Sequence, residues 1–139
     1  MKKTVILLTA LLSLAGCGNE NASPSQGAAN PANKSTLILS DGEKISLSGD
    51  LVKTIAKPNA KGELKLHEVK FNSGAKVAEN AVFQKFSTLG YTRKIIENSD
   101  KAFKVHYYKT GLPVVGSIYH EQTTTTGQTS QLSLYWQSI

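Results

Sequence analysis

The last third of the chain alternates apolar and polar residues with the period of a β-strand. Successive side chains of a strand point to opposite faces of a sheet, so such runs predict strands with one apolar side. The predicted strands cover residues 91–98, 102–109, 114–121 and 129–137, and their connections cover residues 99–101, 110–113 and 122–128. Because the connections are rich in turn-forming residues, we expect the four strands to form an antiparallel sheet.

A helical period precedes these strands. Apolar residues recur there at intervals of four, four and three residues, at Ala78, Val82, Phe86 and Leu89. This spacing predicts one amphipathic helix, with Glu79 on its exposed side and Gly90 just after its last turn. We expect the helix to cover the face of the sheet that holds Phe103, Ile118 and Trp136, and we expect Phe86 and Trp136 to be buried.

Weaker strand signals lie nearer the N-terminus. An Asp-Gly pair at 41–42 separates two short β-prone runs, 36–39 and 44–47, which predicts a hairpin. Residues 51–55 predict a third short strand or a helical turn. Residues 57–62 contain proline, asparagine and glycine, so we expect them to interrupt the regular structure.

Residues 63–71 predict a further strand whose apolar alternation slips in phase between Leu66 and Val69. Such a slip indicates either a bulge or a strand covered on both faces. The elements together predict an α+β fold, in which residues 36–139 form a single domain. We expect its antiparallel β-sheet to contain about four to six strands and to carry one packed α-helix.

The N-terminus has the pattern of a membrane-targeting signal. Two lysines precede an apolar segment, residues 4–14, and the letters LAGC follow from its last residue, at residues 14–17. About 11 apolar residues are too few to span a bilayer, so we expect residues 1–16 to be removed. The pattern resembles a bacterial lipoprotein signal peptide with its lipobox, over residues 1–17 only. The resemblance implies that Cys17 is diacylated and becomes the N-terminus. An ordinary secretory signal with a chance cysteine is the alternative.

Residues 17–35 are predicted to be a lipidated cysteine followed by a disordered linker, because residues 18–35 contain no large apolar side chain. A flexible coil of this length spans about 25 Å on average and about 60 Å when extended. In Gram-negative bacteria, lipoproteins of the family that the signal resembles are sorted by the residue after the cysteine. Gly18 is not the aspartate that retains them in the inner membrane. The resemblance therefore implies an outer-membrane anchor that faces the periplasm.

Composition limits the classes of partner. The formal charge of the chain is +6, and it falls to +4 without Lys2 and Lys3, because 14 basic residues then face 10 acidic ones. Arg93 is the only arginine, whereas nucleic-acid readers depend on arginine, so we expect no nucleic-acid partner. Cys17 is the only cysteine, so we expect neither a disulfide nor redox chemistry. We interpret the charges of residues 93–109 as a solvated face.

No motif predicts catalysis. The three histidines, His67, His106 and His120, have no metal-ligand spacing between them, so we expect no metal and no cofactor. His106 and His120 are expected to approach each other only if the turn between their strands brings them together. The chain also lacks a nucleophile elbow and a glycine-rich phosphate loop. We therefore expect no enzymatic activity, and an envelope enzyme with an unrecognised site is kept as an alternative.

The uncovered face of the sheet is the predicted binding site. Strand alternation predicts three tyrosines on it, and large amphipathic rings are favoured at protein interfaces. The predicted binding residues are Tyr108, Tyr119 and Tyr135, with His106 and Ser117 between them and Lys104 and Lys109 at a charged rim. Two alternatives stay open, namely that the N-terminal hairpin covers this face and that the threonine-rich residues 123–127 form the binding loop.

These features predict a lipid-anchored periplasmic protein-binding module. An immunity or inhibitor lipoprotein that acts on a toxin or a lytic enzyme fits this description. An accessory lipoprotein of an envelope secretion or assembly machine is the alternative. Both need a membrane contact through the lipid and a protein partner.

Overall fold

The computed structural model describes residues 35–138, which form eight strands and one helix. The elements are β1 (Ser35–Ile38), β2 (Lys44–Leu47), β3 (Asp50–Asn59), β4 (Gly62–Phe71), α1 (Ala75–Thr88), β5 (Thr92–Asn98), β6 (Phe103–Tyr108), β7 (Val115–Thr124) and β8 (Gly127–Ser138). The predicted signal peptide, Cys17 and nearly all of the predicted linker lie outside the described residues. None of residues 35–138 belongs to a helix with the length and apolar character needed to cross a membrane.

The predicted α+β class with four to six strands is wrong. The structure is mostly β, with 61% strand and 13% helix, and its eight strands form two antiparallel sheets. One sheet has two strands, β1 and β2. The other has six, in the order β3-β4-β8-β7-β6-β5. Strand content exceeds the prediction because residues 50–59 form one continuous strand rather than a short strand and a break. In addition, β7 and β8 extend into the connection predicted at residues 122–128.

The core lies on one face of the six-stranded sheet, which we call the covered face. The helix α1 and strands β1 and β2 contribute side chains to this core, among them Val82, Leu37 and Ile45. Phe86 and Trp136 are 0% and 1% exposed, so both are buried as predicted. The opposite face of the same sheet, which we call the open face, carries no helix or second sheet within the described residues.

The C-terminus of the helix is as the sequence predicts. At its C-terminus the Gly90 N–H donates to the Ser87 carbonyl and the Tyr91 N–H donates to the Phe86 carbonyl. This is a Schellman motif, and Gly90 adopts the left-handed φ of 88° that the motif requires. At the N-terminus no local side chain caps the helix. The Ala75 N–H instead donates to the carboxylate of Glu121 on β7, at 2.8 Å.

Strands β3 and β4 correct two predictions. Pro58 lies within β3, and the strand tolerates it because β3 is at the edge of the sheet, where a missing N–H leaves no partner unpaired. The phase slip along residues 63–71 is not a bulge of β4, because β4 pairs with β8 without a register shift and the one shift in its ladder with β3 lies on β3. Instead Leu64 and Leu66 point to the open face, while Val69 and Phe71 point to the covered face.

Both edge strands of the six-stranded sheet contain a one-residue register shift. On β3 the shift lies at Val52, between Leu51 and Lys53, and on β5 it lies at Ile96, between Ile95 and Glu97. Each extra residue is exposed and apolar, at 60% and 45%. A bulge of this kind bends the outer strand and interrupts its row of backbone hydrogen-bonding groups.

A buried polar network links α1 to the sheet. Glu79 is 3% exposed, although the helical period predicts it on the exposed side. Its carboxylate accepts a 2.7 Å hydrogen bond from Arg93 and a 3.2 Å hydrogen bond from the Tyr107 hydroxyl, which lies 2.9 Å from the Tyr119 hydroxyl. Burial raises the pKa of Tyr107 and of Tyr119. Both phenols therefore stay neutral and keep their protons for the network.

Candidate functional site: the open face of the sheet

The strand register decides which predicted binding residues lie on the open face. Tyr108 and His106 of β6, Lys104 of β6 and Tyr135 of β8 lie there, because their neighbours Phe103, Val105, Tyr107, Leu134 and Trp136 are buried on the covered face. These four residues are partly or largely exposed. Their role in binding remains a prediction.

Two predicted binding residues lie on the wrong side. Tyr119 and Ser117 are 1% and 0% exposed on the covered face, and Ile118 points to the open face. The two faces of β7 are therefore the reverse of those predicted. Both faces of β7 carry apolar side chains, so hydropathy alone does not distinguish them. The interaction that distinguishes the two faces is the hydrogen bond between the hydroxyls of Tyr119 and Tyr107, which joins Tyr119 to the buried network.

Lys109 also lies away from the open face. It follows β6 in the position that points to the covered side, where its ammonium group lies 3.7 Å from the carboxylate of Asp41 and 5.5 Å from the centre of the Tyr91 ring. These contacts join the end of β6 to the turn between β1 and β2. The prediction that Lys109 forms the rim of the open face is therefore wrong.

The middle of the open face is built around Tyr135 and Gly116. A Cβ atom placed on Gly116 would collide with the ring and hydroxyl of Tyr135, so the ring lies directly across the glycine backbone. Gly116 and Tyr135 are paired on adjacent strands. The absence of a side chain at 116 therefore lets the ring lie flat over the backbone and fixes where it points.

Apolar side chains extend this centre across the sheet. Ile55, Leu66 and Tyr135 are paired in sequence across β3, β4 and β8. The apolar centre consists of Ile55, Leu64, Leu66, Ile118 and Tyr135, with Tyr108 beside it on β6. The first five are partly exposed, and Tyr108 is 37% exposed. A sheet face that faces only water normally carries polar side chains, so this apolar centre is typical of a docking surface.

Polar groups around the apolar centre are held by hydrogen bonds. Lys104 forms a 2.8 Å ion pair with Glu97, and this hydrogen bond lowers the pKa of Glu97 and raises that of Lys104. Gln137 exchanges two side-chain hydrogen bonds with Asn59, at 2.9 and 3.2 Å. The His106 ring nitrogen lies 3.4 Å from the Tyr108 hydroxyl. An apolar centre inside a polar rim is the usual arrangement of a protein interface.

The histidines form no metal site. His67 is buried on the covered face, where its Nδ1 lies 3.0 Å from the Thr54 hydroxyl, and desolvation followed by the charge of Lys65 lowers its pKa. His106 pairs with Gly116, which is four residues from His120 along β7, so the turn does not bring these two histidines together. Residues 35–138 contain no group of three His, Cys, Asp or Glu side chains placed to hold a metal ion.

A cleft of about 520 Å³ lies between the N-terminus of α1 and the turn that joins β5 to β6. Its lining includes Lys76, Asn98 and Lys101. The carboxylate of Glu121 already accepts the Ala75 N–H there, and Gln128 holds its other oxygen at 3.0 Å. The helix end is thus neutralised from within the chain.

Three comparisons with known proteins give no match: no family model, no curated protein and no solved structure is significantly similar to this chain. The geometry of the open face is therefore the basis on which a function is proposed.

Sequence interpretation missed the β4 side of this surface. Ile55, Leu64 and Leu66 were not among the predicted binding residues, because they were assigned to a weakly predicted strand and to a phase slip. The slip itself is the signal, since it places apolar residues on both faces of β4. When only one face of a sheet is covered, a strand with apolar residues on both faces leaves some of its apolar surface exposed to water.

Proposed function

We propose that this chain is a lipid-anchored protein-binding module that docks its partner through the open face. The observation that supports the proposal is the apolar centre around Tyr135, which lies on a sheet face that no element of residues 35–138 covers. Burying such a centre is favourable in proportion to the apolar area removed from water. The rings of Tyr108 and Tyr135 add contact area with little loss of rotamer entropy.

The lipobox resemblance supports the anchor, and together the two features fit an immunity or inhibitor lipoprotein that intercepts a toxin or lytic enzyme in the periplasm. In such a role the anchor holds the module at the membrane while the open face binds the incoming protein. The proposal requires no catalytic group, and docking alone performs the function.

Site-specific photo-cross-linking in the cells that naturally produce the chain tests the docking surface. A full-length chain with Tyr108→p-benzoylphenylalanine places the reactive ketone on the open face, and we expect it to form a discrete covalent product with another protein. The matched control carries the same side chain at Val77 on α1, which is 65% exposed but lies outside the open face. The proposal fails if both positions give the same products or if Tyr108 gives none.

The anchor is tested by the Cys17→Ser variant of the full chain. The Cys17 thiol is the only acyl acceptor that the lipobox resemblance supplies, so we expect the variant to lose fatty-acid label and to leave the membrane fraction. Labelled palmitate and membrane fractionation measure these two properties, and Ser25→Ala in the predicted linker serves as the control that keeps both. Continued labelling of the Cys17→Ser protein would contradict lipidation at this residue.

A further inference from the structure

Charged side chains divide the open face into two halves. The half next to Ser35, which we call the near half, has an acidic residue opposite each of its lysines on the neighbouring strand. These cross-strand pairs are Asp50 with Lys70, Glu68 with Lys53, and Glu97 with Lys104. Opposite charges in directly paired positions attract each other, so the near half has no surplus charge to offer a partner.

The other half, which we call the far half, has two lysines and no acidic residue on the open face. Lys57 of β3 is paired with Leu64, and Lys94 of β5 is paired with His106. Both lysines are exposed, and neither forms an ion pair within residues 35–138. The far half therefore has a positive charge at each side of the sheet and nothing within it to neutralise that charge.

The two lysines flank the apolar centre. They lie on the two outermost strands, which are separated by five strand spacings, or about 24 Å. Leu64, Leu66, Tyr135 and Tyr108 lie on the strands between them. This width agrees with one side of a standard protein interface, which buries about 800 Å² per partner. Rim charges of one sign select a partner whose rim has the opposite sign.

A second copy of this chain fits the far half poorly. A two-fold contact would place the same surface on both sides of the interface. Lys57 and Lys94 of one copy would then meet a surface with the same two lysines and no carboxylate. Like charges across an interface act against association, so the occupant that matches this surface is a different protein with acidic groups.

Ser35, the first described residue, lies beside the near half. The Ser35 hydroxyl donates a 2.7 Å hydrogen bond to the Gly49 carbonyl, and Gly49 packs against Val69 and Phe71 at the end of β4. Leu64 lies seven residues back along β4, which is about 23 Å away.

We infer that the partner is a protein with an apolar projection flanked by carboxylates, and that it binds the far half of the open face between Lys57 and Lys94. This inference rests on the proposed function, because it specifies the partner of the same surface. It adds the sign of the partner's rim charges and the half of the sheet that they contact.

The test uses the full chain with the cross-linker at position 108 and compares two charge reversals of equal size. The first is Lys57→Glu with Lys94→Glu, in the far half. The matched control is Lys53→Glu with Lys70→Glu, in the near half, where both lysines are also exposed. We expect the far-half pair to lower the yield of cross-linked protein at least tenfold and the near-half pair to change it less than twofold. Mass spectrometry of the product should place aspartate or glutamate on both sides of the cross-linked apolar residue.

The remaining outcomes contradict the inference in distinguishable ways. If the yield is unchanged in both double variants, the docking surface is still supported, but the inference that the partner carries carboxylates there is wrong. Equal loss in both means that net charge, rather than the far half, governs association. A product with twice the mass of the chain identifies a second copy. No product above the Val77 control means that the proposed function itself is wrong, and thermal unfolding of each variant confirms that the comparison is made between folded proteins.

Discussion

Replacing Trp136 by alanine is expected to lower the free energy of unfolding by about 3–5 kcal/mol, as is usual for a large aromatic residue in a core. The indole is 1% exposed on the covered face, and its ring centre lies 4.9 Å from that of His67. Removing it takes away apolar contacts and leaves a cavity that the surrounding strands fill only in part. Urea unfolding followed by circular dichroism measures the change.

The neighbouring residue gives a matched control. Tyr135 is also a large aromatic, but it lies on the open face and is only partly buried. Tyr135→Ala is expected to lower the free energy of unfolding by about 1 kcal/mol, from the smaller apolar area that it covers. Equal losses for Trp136→Ala and Tyr135→Ala would show that both faces of β8 are covered, and the docking proposal would then have no free surface.

The second large effect is expected from Glu79→Gln, which removes the charge that faces Arg93. We expect the free energy of unfolding to fall by about 2–3 kcal/mol. This is less than for a fully buried ion pair, because the Arg93 side chain is 36% exposed. The Tyr107 hydroxyl also loses its charged acceptor. The Arg93 guanidinium lies 4.2 Å from the centre of the Phe83 ring, so it stays close to apolar groups without its carboxylate. Thermal and urea unfolding of the variant measure the loss.

Glu97→Gln is the control for this prediction. Glu97 makes an ion pair of similar length with Lys104, but both side chains are 39% exposed. Water and salt screen exposed pairs of this kind, so we expect Glu97→Gln to unfold almost as the parent protein does. If the two substitutions have equal effects, the burial of Glu79 has no energetic consequence and the network does not fasten α1 to the sheet.

The sequence predicts the local elements well because their periods are local. The alternation of residues 91–137 and the four-four-three spacing of α1 correspond to elements that the structure contains. The fold class was wrong because residues 36–62, whose strand signals are weak, contain most of three strands. The strand order also escapes local patterns, because β4 pairs with β8 from the other end of the domain. The hairpin predicted around residues 41–42 is present as β1 and β2, but it forms a separate small sheet.

The candidate site was predicted only in part for a similar reason. Tyr108, Tyr135, His106 and Lys104 lie on the open face because β6 and β8 have one apolar side each. On β7 both sides are apolar, and the position of Tyr119 depends on a hydrogen bond to Tyr107 that no spacing encodes. Glu79 is predicted on the exposed side of α1 for the same reason. Its burial depends on Arg93, which lies on β5 and is distant in the local pattern.

The bulges at Val52 and Ile96 affect how copies of this protein behave when they are crowded together. A regular edge strand offers a row of backbone donors and acceptors to which the edge of another molecule can add, and repeated addition builds fibres. Here the outer strands on both sides are bent at an exposed apolar residue. The sheet therefore resists growth in either direction, so many copies held side by side stay separate molecules, each with its broad face free.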